Sequence, residues 1–141
     1  MPIVFVRVMD GIGNQIFQYA FAQWLRRDLY VSPVLYDPGS NSLQGPLTRA
    51  VQLGKLFHDC RILKGAAAKA IHFLSLSRKY QASLGAIGLR HYSFYAPGSW
   101  PSVVSAVSES KRHCYPVLSG YFQFSELVRS QLNGKYPLST G

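Results

Sequence analysis

The residues best suited to chemistry stand at the first turn of the chain. Gly11-Ile12-Gly13 lies between an apolar run, Ile3 to Val8, and a helix-forming stretch that opens at about Asn14. Glycines between a buried strand and a helix let a ligand come close to the backbone. The free N–H groups of the first helical turn attract an anion such as a pyrophosphate or the phosphate of a nucleotide. The plainer role of a bare Gly-x-Gly is a tight connection and nothing more. A dinucleotide fingerprint needs a third small residue for close helix–strand packing, and Ile16 stands there instead, so the fingerprint fails. Asp37 ends the second apolar run, where a ribose-binding acid would sit. With half the pattern present, a nicotinamide-dinucleotide-binding module is the alternative reading of this turn.

Other reactive side chains are scattered. Cys60 and Cys114 form no Cys-x-x-Cys, and His58, His72, His91 and His113 are dispersed, so the spacing indicates no metal site. A long-range disulfide between the two cysteines stays open. Asn14 can cap the helix with its side chain or donate its amide to a phosphate oxygen. Phe17, Tyr19 and Phe21 recur at helical spacing and read as core.

These residues need elements to hold them. Ile3 to Val8 is β-branched and aromatic, short enough for a buried strand. From Asn14, the residues Ile16, Phe17, Ala20, Phe21, Trp24 and Leu25 make one apolar helical stripe, closed by Arg26 and Arg27 at its carboxyl end. Val34 to Asp37 reads as a second strand, bounded by Pro33 and Pro38-Gly39. Strand, glycine turn, helix and strand make a βαβ unit, and therefore a parallel sheet with the turn at its carboxyl edge. Residues 40–60 read as loop with a short helix, and 61–85 as mostly helical with Gly85 and Gly88 as stops. Residues 91–101 read as an aromatic connection. Pro116 to Tyr121 reads as strand and turn, and Phe124 to Leu132 as a helix.

The run Asp10-Gly11-Ile12-Gly13-Asn14-Gln15-Ile16-Phe17-Gln18-Tyr19-Ala20 closely resembles the opening motif of glycosyltransferase family 11, the α-1,2-fucosyltransferases: Gly-Gly-Leu-Gly-Asn-Gln-(apolar)-Phe-Gln-Tyr-Ala. Asp10 replaces the first glycine and Ile12 the leucine. Ser119-Gly120-Tyr121-Phe122-Gln123 is similar to the family's later Gly-Tyr-(Phe/Trp)-Gln segment and falls in the expected order. The middle of the chain aligns only in general character.

The resemblance implies a Rossmann-like α/β domain, one of the two in a GT-B enzyme. It implies transfer of L-fucose from GDP-fucose to the 2-hydroxyl of a galactose-terminated glycan, with inversion and without a metal or other cofactor. Gly11, Gly13, Asn14 and Gln15 would then line the donor cleft, with Tyr121 and Gln123 reaching it if the two glycine turns lie side by side. Asp10 takes a glycine's place and is not cast as a base. The family's His-x-Arg-x-Gly-Asp segment, which opens the second domain and grips the pyrophosphate, is absent from these 141 residues. The expectation is therefore one truncated N-terminal domain over 1–141, with no catalytic residue assigned and no transfer on its own. A non-catalytic remnant that self-associates through the uncovered interdomain face is a further alternative.

Composition agrees with a folded domain: 48% apolar, 13% aromatic and 15% charged residues. Fifteen Lys and Arg against six Asp and Glu give a net charge of +9. The cations come in ones and twos with no helix-turn-helix, zinc-finger or RNP signature, so nucleic acid is not the expected partner. A solvated basic face or a phosphate-bearing ligand is. Neither the N-terminus nor the stretch from Ala66 to Ser77 has the form of a signal peptide or a membrane span. The expected location is cytoplasmic, with Arg61 to Lys79 as the segment suited to a peripheral contact with the inner membrane face.

Overall fold

The computed structural model describes residues 2–9, 11–39, 53, 57, 60–77, 79, 88–94, 100–110 and 115–122. Five parallel strands, β1 (Ile3–Arg7), β2 (Ser32–Tyr36), β3 (Ile62–Leu63), β4 (Leu89–Phe94) and β5 (Tyr115–Gly120), form one sheet in the order β3-β2-β1-β5-β4. Among the described residues, the helices α1 (Ile12–Asp28), α2 (Gly65–Leu76) and α3 (Trp100–Ser110) flank it. This is an α/β arrangement of the Rossmann-like kind, with β1 at its centre.

Handedness fixes where the helices go. The steps from β1 to β2 and from β4 to β5 move the same way across the sheet, while the step from β3 to β4 moves the opposite way. Right-handed crossovers then put α1 and α3 on one face and α2 on the other. The core divides accordingly. Val4, Val6, Val8, Leu35 and Leu118 pack with Phe21 and Leu25 of α1 and Val103 and Val107 of α3. Phe5, Tyr36, Val117 and Leu89 pack with Ala68 and Ile71 of α2. The alternation along β1, even residues to one helix layer and odd to the other, is the two-residue period of a strand covered on both faces.

The apolar stripe of α1 lands as its spacing requires at Ile16, Ala20, Phe21, Trp24 and Leu25, but Phe17, expected in the core, is only half-buried and packs into neither layer. Tyr19, Phe21, Ala22 and Leu25 are buried, and Tyr19 stacks on Phe57 at 4.1 Å. Phe21 stacks flat on Phe122 at 4.0 Å, and the Trp24 ring lies 6.1 Å from it. Each such aromatic pair adds about 0.5–1.5 kcal/mol to burial. Phe122 holds a left-handed backbone, φ 53°, which turns the chain after β5 and brings its ring onto Phe21.

Three expectations are corrected. Residues 91–94 belong to strand β4 rather than to a connection. The Pro and Gly of 97–98 masked a β-prone run whose Tyr92 and Phe94 pack into one layer while Leu89 packs into the other. Asn14 is not the helix cap: α1 opens at Ile12 with Gly11 as the N-cap residue, and no side chain caps it. The helix of 61–85 is shorter than its pattern, since Ile62 and Leu63 pair with Leu35 and Tyr36 before α2 begins. Of the short helix expected within 40–60, Leu53 is helical and its carbonyl accepts the N–H of Phe57 at 2.9 Å, while the stop at Gly85 and the helix of 124–132 lie outside the described residues. Among the described residues, no helix is long and apolar enough to cross a membrane.

Candidate functional site

The glycine turn leaves β1 at the carboxyl edge of the sheet and enters α1 directly. Gly11 has an extended backbone, φ −68° and ψ 164°, which any residue adopts, so its glycine character is not required by conformation. Its carbonyl accepts the N–H of Gln15 at 3.0 Å. Gly13 is exposed, and a methyl group built on it would meet nothing within 4 Å. The first turn of α1, Ile12 onward, carries no acidic side chain. Asn14 is half-buried at this end, and Gln15 is buried, 1% exposed.

The second segment of interest lies beside the first, because β5 pairs with β1 through Phe5 and Val117 and through Val6 and Leu118. Gln18 ties the two together. Its Oε1 accepts the N–H of Met9 at 2.9 Å, and its Nε2 donates to the carbonyl of Gly120 at 2.9 Å. Gln18 is fully buried, so one amide satisfies a backbone donor at the end of β1 and a backbone acceptor at the end of β5. Gly120 itself lies so close to β4 that a Cβ would stand 2.7 Å from the carbonyl oxygen of Phe94. Tyr121 follows, half-buried. The fold thus places Gly11, Gly13, Asn14, Gln15 and Tyr121 around two neighbouring strand ends. Gln123, Asp10 and Cys114 lie outside the described residues.

No family model, curated protein or solved structure matches this chain.

Asp37 has a local task. Its carboxylate oxygen accepts the N–H of Gly39 at 2.9 Å, closing a turn in which Gly39 takes φ +85°. Ile16, at the place a dinucleotide fingerprint keeps small, packs against the core. Cys60 is half-buried. It borders a cavity of about 210 Å³ with Tyr19, Arg26 and Arg61, and none of the turn residues lines that cavity. Among the described residues, no three His, Cys, Asp or Glu side chains stand together as ion ligands.

A second polar group went unnoticed in the sequence. It lies on the α2 face. His72 of α2 meets Tyr36 through Nδ1 and the phenol oxygen at 3.1 Å, and its ring stands 5.9 Å from that of His91 in β4. Desolvation first, then the Arg7 guanidinium and His91, push the pKa of His72 down to about 4. His91 is lowered by the same burial and by Arg7. The sign of the stability effect follows. Unfolded histidine takes a proton near pH 6.5 and folded His72 does not until about pH 4, so stability is full above 6.5 and falls as pH drops between the two values. The loss is expected to be about 1–2 kcal/mol after discounting for solvent screening. Urea unfolding at pH 7 and pH 4.5 measures it, and His72→Gln should flatten most of the difference. An unchanged slope would place the titration elsewhere.

Proposed function

We propose that the chain is the N-terminal, Rossmann-like part of a GDP-fucose-dependent α-1,2-fucosyltransferase of the GT-B kind. The complete enzyme transfers L-fucose to the 2-hydroxyl of a galactose in a glycan acceptor. The observation that best supports this reading is Gln18. It belongs to the Gly-x-Gly-Asn-Gln-x-Phe-Gln-Tyr run, and its side chain bonds to Gly120 of the Gly-Tyr-Phe-Gln segment. The two stretches that resemble the family are the two that meet at the sheet's carboxyl edge, where ligands of open α/β sheets bind.

In the reaction the galactose oxygen bonds to the anomeric carbon of fucose as the bond to GDP breaks, through an oxocarbenium-like transition state. Donors aimed at the departing β-phosphate stabilise its growing charge. On this side of the cleft those donors are the first-turn N–H groups of α1 and the amide of Asn14. Residues 11–15 and 119–122 contain no carboxylate or imidazole, so the proton acceptor and the main grip on the pyrophosphate are assigned to the second domain. The chain by itself is expected to transfer no fucose.

The test is a fusion to the donor domain of a family 11 enzyme, assayed for transfer from GDP-fucose to lactose. Transfer supports the reading, and a folded, inactive fusion counts against it. In an active fusion, Gly13→Ala should leave thermal stability within about 1 kcal/mol, since the site is open and alanine is the better helix former. The same methyl should cut transfer at least about tenfold by standing between the donor and the backbone. Equal activity would move the donor away from this turn.

A further inference from the structure

Arg7 is the one charged residue in an otherwise apolar central strand, and its odd number turns it to the α2 face of the sheet along with Phe5. Its Nε is buried without a hydrogen-bond partner. Next to it on β5, one step past the pair Val6 and Leu118, is Ser119, 1% exposed, whose Oγ is likewise buried and unpartnered. Tyr36 faces Arg7 from β2 in register. Above them, α2 contributes His72 and Ser75, and β4 contributes His91. Ser75 Oγ donates to the His72 carbonyl at 2.8 Å and lies 3.4 Å from His91 Nδ1. Its single proton is committed to that carbonyl, so His91 Nδ1 carries the hydrogen in that contact.

A guanidinium, two imidazoles and two hydroxyls therefore converge, and none of the described carboxylates serves them. Asp28 is paired with Arg27 and Asp37 with the N–H of Gly39. A half-buried guanidinium with no described carboxylate beside it is costly, as is a buried hydroxyl without a partner. One small anion would relieve both. A cation is excluded by the same group, because the guanidinium repels it. We propose that Arg7, Ser119, His72 and His91 bind a small oxyanion, a phosphate group above all, toward the carboxyl ends of β1 and β5 on the face covered by α2. Arginine offers a phosphate a forked pair of donors and Ser119 a hydroxyl, while His72 and His91 face it as imidazoles, His91 donating from Nε2 once the bound anion lets it take a second proton. The proposal is independent of the transferase reading, whose glycine turn leads into α1 on the opposite face.

The experiment is thermal unfolding of the whole chain in phosphate-free buffer, titrated with inorganic phosphate against sodium chloride at equal ionic strength, with a parallel arm in GDP. Phosphate should raise the melting temperature where chloride does not. Arg7→Met should weaken phosphate binding at least about tenfold, and Ser119→Ala by about threefold. Arg7→Met carries a second signature. A guanidinium held for a ligand and not for the fold makes the variant at least as stable as the parent without phosphate. Should Arg7→Met not fold, Ser119→Ala and His91→Gln carry the comparison. A stronger shift with GDP than with phosphate assigns the site to a nucleotide, and equal shifts to a free oxyanion. No shift with phosphate overturns the proposal. So does an equal shift in wild type and variants, which is the response of a diffuse +9 surface. A folded Arg7→Met destabilised without phosphate also overturns it, since the guanidinium then has a partner within the chain.

Discussion

Replacing Gln18 by leucine is expected to lower stability by about 2–4 kcal/mol, although leucine fills much the same volume. The side chain is fully buried and bonds to two backbone groups that stand at the ends of adjacent strands. Leucine removes the bond that Gln18 makes to the Met9 N–H and the one it makes to the Gly120 carbonyl, at about 1–3 kcal/mol for each. The apolar gain from the new side chain offsets part of that. Urea unfolding of the folded variant gives the number directly. A loss under about 1 kcal/mol would mean that solvent reaches both groups and that the bridge is not what closes the two strand ends.

Gly120→Ala is expected to cost a similar amount for a different reason. The glycine has no unusual backbone angle, so the demand is spatial. The added methyl would stand 2.7 Å from the Phe94 carbonyl oxygen and 3.1 Å from its carbonyl carbon and Cβ. Two of those atoms are backbone, held by the in-register pairing of Phe94 with Gly120, and no side-chain rotation clears them. The strands must part, and the stack of Phe122 on Phe21 shifts with them. The cost of such overpacking is about 2–3 kcal/mol, read as a lowered melting temperature. Gly13→Ala is the matched control, since the same methyl meets nothing there. Equal melting temperatures for the two variants would contradict the steric account.

The sequence carried the first βαβ unit well, because Ile3 to Tyr36 keeps a clean switch of period from two to three-and-four. The parallel sheet and the strand before Gly120 followed from the same logic. Strand β4 was hidden by the Pro and Gly after it, and the α2 pattern ran past its true start because Ile62 and Leu63 fit a strand edge as well as a helix. At the turn, glycines drew notice while Gln18 did not, since a glutamine in a helix looks like surface until its partner 102 residues away is known. The polar group on the α2 face had one legible signal, a lone arginine in a buried strand. Its histidines are 19 positions apart and meet only because α2 crosses over β4.

The strand order also dictates a timetable. β1 gains its first neighbour once residue 36 is made, but its other edge waits for residues 115–120. β4, synthesised earlier, pairs with β5 alone, so it too must wait. A growing chain therefore presents two unpaired strands, β1 on one side and β4 on both, until the last strand slides between them. Closing so long a loop makes that insertion the slow step of folding. Until it happens, the bare edges invite pairing with other chains. Conditions that delay β5, or shorten its residence between its neighbours, will be felt as poor yield of the folded protein before any change in its finished structure.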